Sequence, residues 1–239
     1  MDEQLRLQVF LSRNGVCSRR DAIGIIQSGN VTVNGHKILE PSYEVDLQRD
    51  KIKVDGKMVR PRPYEYIMFH KPAGYVTTKT AQGRQKTIYD ALPKQCQHLL
   101  PVGRLDKETE GLLILTNNGD ISHALTHPKF SLDKTYFVIL KGRLDSLKKS
   151  KIEKGVYIEG GKTAPAKISQ LRYEKNDTLL KITIHEGKKR QIRYMFARVK
   201  YMVKYLKRLT QGPLSLGTLK VGKSRPLTKL EIESLKKLL

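Results

Sequence analysis

The chain has 239 residues, and its 46 Lys and Arg against 23 Asp and Glu give a formal charge of +23 with the six His taken as neutral. So large an excess points to a polyanionic partner, while 38% hydrophobic residues with 18 Gly and 10 Pro exclude a disordered or collagen-like chain. The longest apolar runs, such as residues 112–115, fall well short of the roughly 20 residues that cross a bilayer. Cys17 and Cys96 lack the Cys-x-x-Cys spacing of a zinc or redox site, and Asp2 and Glu3 stand where a secretory leader would be basic and then apolar. The expectation is a globular protein of a reducing, cytoplasmic setting.

Leu5, Val9 and Phe10 at helical spacing, followed by Gly15, predict a first helix over residues 5–14. Ser18 and Asp21 have capping-box-like spacing before Ala22, Ile23, Ile25 and Ile26, which predicts a second helix ending near Gly29. Residues 31–33 followed by Asn34-Gly35, and residues 51–54 followed by Asp55-Gly56, carry the positive-φ dipeptides of tight hairpins. Two short helices and a few strands thus form a small unit over residues 1–60. Residues 61–63, following Arg60 as Pro-Arg-Pro, read as an extended linker. The larger segment, residues 64–239, carries the charge excess: residues 1–60 hold ten basic and eight acidic side chains, and residues 61–239 hold 36 and 15.

Within that segment, residues 66–69, 112–116, 135–140 and 179–184 are rich in β-branched or large apolar side chains and predict strands. Residues 121–126, 146–154, 190–199 and 228–239 predict helices, the last opened by Thr228 and Glu231. Strands and helices do not alternate as in a doubly wound sheet, so the fold class is α+β, a mixed, mainly antiparallel sheet flanked by helices beside a small α/β module. Gly-rich phosphate loops, Gly-x-Ser-x-Gly elbows and His-Glu-x-x-His motifs do not occur, and no His pairs with Cys or carboxylates at a metal spacing.

The informative stretch is Gly103-Arg104-Leu105-Asp106-Lys107-Glu108-Thr109-Glu110-Gly111-Leu112-Leu113. In extended backbone Arg104 and Asp106 share one face and Leu105 turns to the other, which presents a carboxylate beside a cation. The same residues also read as a loop ion pair ahead of a buried strand. Residues 188–208 hold nine Lys or Arg and no acid, interleaved with Tyr194, Phe196, Tyr201 and Tyr205. That pattern suits either a solvated basic face or an RNA-tracking surface.

Residues 103–113 resemble the Gly-Arg-Leu-Asp-x-x-Thr-x-Gly-Leu-Leu signature of ribosomal RNA pseudouridine synthases. His70-Lys71-Pro72-Ala73-Gly74 resembles that family's opening strand and turn, Lys134-Thr135-Tyr136 its Lys-x-Tyr motif, residues 187–196 its third motif and residues 212–217 the closing one. Residues 1–60 resemble the RNA-binding module named from a small-subunit ribosomal protein, carried by the branch that acts on single rRNA sites. The resemblance implies isomerisation of one uridine to pseudouridine by breaking the glycosidic bond, rotating the base and rejoining it through carbon 5. It implies no cofactor or metal, a monomer, and ribosomal RNA or a ribosome-assembly intermediate as partner. The large-subunit 23S branch is favoured over the 16S branch. A binding factor that kept the scaffold without the chemistry is the alternative of another class.

Carried over by position, Asp106 would be the catalytic carboxylate, and Arg193 would hold it ionised in a charge-assisted pair. Tyr136 would stack on the target base, and Ile192 and Leu216 would floor its pocket. Arg104 would fill the gap left by the flipped uridine. Lys71, Lys134, Lys188, Lys189 and Arg190 in the larger segment, and Arg6, Arg13, Arg19 and Arg20 in the small module, would meet RNA phosphates. Tyr194 and Lys200-Tyr201-Met202 depart from the family pattern, where a second basic residue and a Gly-Pro turn are usual.

Overall fold

A computed structural model describes residues 4–81 and 83–239, which divide into two compact units. One comprises the chain up to Glu65 with Asn117–Gly119, the other Tyr66–Thr116 with Asp120–Leu239. The first contains β1 (Gln4–Arg6), α1 (Leu7–Arg13), α2 (Arg19–Gln27), β2 (Val31–Val33), β3 (His36–Lys37), β4 (Glu44–Asp46), β5 (Ile52–Val54) and β6 (Lys57–Met58). The Ser18 hydroxyl accepts from the Asp21 N–H at 3.2 Å and opens α2 as expected. Both hairpins turn on the expected dipeptides, with φ of 53° and 89° at Asn34 and Gly35 and 48° and 75° at Asp55 and Gly56. The helix expected over 5–14 begins only at Leu7, because residues 4–6 pair with β4, a long-range partner that local periodicity does not reveal. Leu7, Phe10, Leu11, Ala22, Ile26, Val31, Val33, Val45 and Ile52 form the core. Residues 61–63, expected as an extended linker, are tied to the C-terminal end of α1. The Arg62 N–H donates to Asn14 Oδ1 at 2.6 Å, and the Arg13 guanidinium lies 3.9 Å above the Tyr64 ring.

The second unit contains β7 (Tyr66–Lys71), α3 (Ile88–Ala91), β8 (Leu100–Pro101), β9 (Glu110–Thr116), α4 (Gly119–Thr126), β10 (Lys134–Lys141) and α5 (Ser146–Glu153). It continues through β11 (Tyr157–Ile158), β12 (Gly161–Lys162), β13 (Lys167–Glu174), β14 (Asp177–Ile184), α6 (Gln191–Arg198), β15 (Met202–Gln211), β16 (Leu214–Ser215), β17 (Ser224–Pro226) and α7 (Lys229–Lys236). Nine strands form one sheet in the order β13-β14-β10-β15-β9-β7-β17, with β16 on β15 and β8 on β9. The pairing is antiparallel except between β15 and β9. Side chains alternate between two cores: Ile67, Phe69, Leu113 and Leu115 enter one, Tyr66, Met68, Leu112 and Ile114 the other. Helices α5 and α6 cover the first face through Ile152, Ile192, Met195 and Phe196; α4 and α7 cover the second through Ile121, Leu125 and Leu235. A strand covered on both sides reads as a continuous apolar run, which is why β9 was legible. β13 and β15 were not, since β13 is an exposed sheet edge and β15 carries Lys204, Lys207 and Arg208 among its apolar positions.

Candidate active site

The Gly103–Thr109 stretch is a loop between β8 and β9, and every carbonyl from Leu105 to Thr109 accepts a hydrogen bond. Leu105 O takes the Thr77 hydroxyl at 2.8 Å, while the Leu105 N–H returns to the same oxygen at 3.2 Å. Lys107 O takes the Gly74 N–H at 2.8 Å, and Asp106 O takes the Thr109 N–H at 3.0 Å. From below, the Lys71 ammonium donates to Pro72 O at 3.0 Å, Asp106 O and Lys107 O at 3.2 Å and Thr109 O at 2.8 Å. From α6, Arg193 Nη2 donates to Glu108 O at 2.9 Å. Leu105 is buried, Arg104 exposed and Asp106 half-buried, the alternation expected of extended backbone. The loop is therefore fixed by its backbone, and Asp106 stands half-buried on it.

Two expectations are corrected here. Lys71, expected to meet RNA phosphate, is fully buried and saturated by loop carbonyls. Burial, with a smaller contribution from the Arg208 cation, brings its pKa down to about 8 against the raising fields of Glu108, Asp106 and Glu110. Arg193 bonds Glu108 O and, through Nη1 at 3.2 Å, Val203 O, so the direct ion pair with Asp106 is not formed. Burial and Arg190 press the Arg193 pKa down, and the Asp106 and Glu108 charges press it up, so the two groups still couple through space.

Residues paired across five strands form one row along the sheet. Lys71 pairs with Gly111, Gly111 with Arg208, Arg208 with Tyr136, and Tyr136 with Ile182. Directly paired residues share a face, so Tyr136 stands beside Arg208 on the same face as Lys71. Gly111, at φ +115°, lets β9 and β15 close up, since a Cβ there would stand 2.3 Å from Arg208 O. Ile192 lies in the core on this face, but Leu216 packs in the other core with Leu112 and Ile114. The two therefore do not form a common floor, because Leu216, just after β16, packs on the α4–α7 side.

The remaining expected RNA contacts divide by availability. Arg6, Arg19 and Arg20 are exposed in the first unit, and Lys189 and Arg190 are exposed at the start of α6. Lys134 donates to Leu132 O at 2.9 Å, with its pKa lowered by burial and then by Arg208. Lys188 donates to Lys162 O at 2.6 Å and so braces the β11–β12 hairpin. Arg13, stacked on Tyr64, is engaged within its own unit. A polar cluster that sequence reasoning missed lies on the opposite sheet face. There the His70 ring contacts Leu219 O at 2.6 Å and Glu110 Oε1 at 3.0 Å, and the same Glu110 oxygen accepts the Tyr205 hydroxyl at 2.7 Å. It ties Leu219, just past the closing motif, to the start of β9, and alternation in β7 and β15 is the signal that would have exposed it. Among the described residues no group of three His, Cys, Asp or Glu is placed to hold a metal ion, and no helix is long and apolar enough to cross a membrane.

The site is thus an Asp-bearing loop locked onto a mixed, mainly antiparallel sheet, with Lys71, Arg208 and Tyr136 in one row across that sheet. Residues 65–198 match the RNA pseudouridylate synthase family and residues 5–52 the S4 domain. The chain is 39% identical over 234 residues to an RNA pseudouridine synthase of Aquifex aeolicus, covering 97% of this chain and 94% of that one. It is 38% identical over 235 residues to ribosomal large subunit pseudouridine synthase B of Bacillus subtilis, covering 98% and 96%. A crystal structure of a pseudouridylate synthase superposes with a TM-score of 0.68 at 31% identity, over 97% of this chain and 99% of that one. The chain belongs to the RNA pseudouridine synthase family, in the branch that carries an S4 domain.

Proposed function

We propose that the protein converts one uridine of large-subunit ribosomal RNA to pseudouridine, with Asp106 as the reacting carboxylate. The observation that carries this reading is the fixation of the Asp106 loop. Five consecutive carbonyls are bonded, so the half-buried Asp106 side chain is positioned by the backbone of its loop. Catalysis by a positioned group depends on such fixation, since its advantage lies in geometry set before the substrate arrives. The large-subunit assignment draws on the similarity to the Bacillus subtilis enzyme along nearly the full chain.

The chemistry requires that the N1–C1′ bond of uridine break, that a C5–C1′ bond form, that the C5 proton leave and that N1 gain a proton. To reach the glycosidic bond the enzyme must take the nucleotide out of its stack. Arg104, exposed two residues before Asp106, fills the vacated position in this reading, and Tyr136, buried in the sheet row, packs against the extruded ring. Arg193 acts on Asp106 through the backbone it holds and through its field. The exposed cations of the two units, Arg6, Arg19 and Arg20, and Lys189 and Arg190, supply the phosphate contacts and a steep salt dependence.

The test is tritium release from large-subunit rRNA transcripts or precursor particles labelled at uridine C5. Stoichiometric release by the wild type, and none by an Asp106→Ala variant that binds the same RNA equally well, is the expected result. Release by the folded Asp106→Ala protein would overturn the assignment.

A further inference from the structure

Arg208 is the strongest unexplained feature of the molecule. The residue is 3% exposed; its Nε donates to Leu112 O at 2.7 Å, and its Nη2 is buried with no hydrogen-bond partner among the described residues. A buried guanidinium is ordinarily paired with a carboxylate or fully hydrogen-bonded. Here the charged neighbours in its reach include Lys71 and Lys134, whose pKa values its charge lowers. Bracing Leu112 O uses Nε alone, and a neutral donor would do it without burying a charge. Nη2 is a donor held ready for something that the free protein does not supply.

Its position says what that is. Arg208 and Tyr136 are directly paired across β15 and β10, so their side chains stand side by side on one face. The other neighbour in the row, Gly111, offers no side chain, and its close approach fixes the Arg208 backbone against β9. One place further, Lys71 holds the underside of the Asp106 loop. A group lying against Tyr136 within reach of Asp106 therefore presents its edge to Arg208. The phosphodiester chain must run in and out at the surface, so of the parts of a nucleotide only the base can end at a depth where the flanking side chains are 3% and 8% exposed.

We propose that Arg208 is a substrate-binding residue whose Nη2 donates to a carbonyl oxygen of the flipped uracil. A guanidinium has donors and no acceptor, so it donates to a carbonyl edge and disfavours an amino group. If the oxygen is O4, the contact distinguishes uracil from cytosine, which carries an amino group there; if it is O2, the contact positions the ring without that selectivity. The proposal rests on the active-site reading above.

The experiment is a cycle of substrate and protein deletions, read as dissociation constants of short target RNAs used as competitors. The target position carries uridine, pyrimidin-2-one riboside, which lacks O4, or pyrimidin-4-one riboside, which lacks O2. A fourth RNA carries uridine with a methylphosphonate at the target phosphate. Wild-type turnover of the uridine RNA is measured first, and its absence overturns the active-site reading and this proposal with it. With turnover present, loss of one carbonyl is expected to weaken wild-type binding at least tenfold, and Arg208→Met less than twofold. In Arg208→Met the uridine RNA is expected to bind as weakly as the carbonyl-deleted one does to the wild type. Arg208→Lys, which keeps the charge, recovers part of the difference and serves as the variant if Arg208→Met does not fold. Wild-type binding indifferent to both carbonyl deletions overturns the proposal whatever the variants do, as does coupling of Arg208 to the methylphosphonate instead of a carbonyl.

Discussion

Replacing Lys71 by Met removes the ammonium from beneath the Asp106 loop while keeping the apolar stem. Three protons serve four carbonyls at 2.8 to 3.2 Å. Hydrogen bonds from a charged donor contribute roughly 1.5–3 kcal/mol each, so three are worth about 5–9 kcal/mol. Against this stands the burial of the charge: a pKa lowered from 10.5 to about 8 corresponds to roughly 3 kcal/mol of unfavourable free energy at neutral pH. The difference agrees with the roughly 3–5 kcal/mol lost on breaking a buried charged network. The expected destabilisation is about 4 kcal/mol, which lowers the Tm by about 10 °C for a chain of this size. Loop displacement of about 1 Å further costs about a hundredfold in kcat.

The pH dependence of the same group separates this account from a simple loss of packing. The folded pKa lies below the unfolded one, so between pH 8 and about 10.5 the unfolded state binds more protons and this group's contribution to stability rises with pH. Activity moves the other way, since a neutral amine has two protons left for four carbonyls. The wild type is expected to lose kcat with an apparent pKa near 8 while its Tm does not fall over that step, and Lys71→Met to lack the limb. Stopped-flow or tritium-release rates across pH 6–10, with calorimetry on the same samples, read both. A flat wild-type profile through pH 8, or a Lys71→Met variant with wild-type Tm and kcat, would refute the reasoning.

Gly111→Ala places a Cβ 2.3 Å from Arg208 O at φ +115° and is expected to destabilise by more than 3 kcal/mol or to prevent folding of the second unit, measured by denaturant melts. Thr77→Val removes both hydrogen bonds to Leu105; about 1 kcal/mol of stability and about tenfold in kcat should be lost, with RNA affinity unchanged in a filter-binding assay. Glu231 is held at a pKa of about 2, chiefly by hydrogen bonds from Arg225. A depressed carboxyl stabilises above its unfolded pKa, so Glu231→Gln should lower the Tm at pH 7, with the difference from wild type shrinking as pH falls from 4.5 towards 2.

Much of the fold was legible because short-range signals agreed with the final packing. Ser18 and Thr228 cap helices at the expected places, the Asn-Gly and Asp-Gly pairs turn hairpins, and the doubly covered β9 announces itself as an apolar run. The failures share one physical cause, partners distant in sequence. Leu5 joined a strand because β4 is 40 residues away, and the basic run that suggested an RNA-facing surface is in part β15, whose Arg208 turns inward. The Asp106 segment was visible as a motif. Composition and spacing could not show that Lys71, 35 residues earlier, is a backbone hub rather than a phosphate contact, because a lysine's surroundings are set by the sheet register that buries it.

The most direct measurement is site-resolved pseudouridine mapping of both rRNAs in cells lacking this gene, complemented with the wild type or with Asp106→Ala. The account predicts loss of one large-subunit pseudouridine, restored by the wild type and not by Asp106→Ala. An unchanged pseudouridine map in the deletion strain, or restoration by Asp106→Ala, would contradict it.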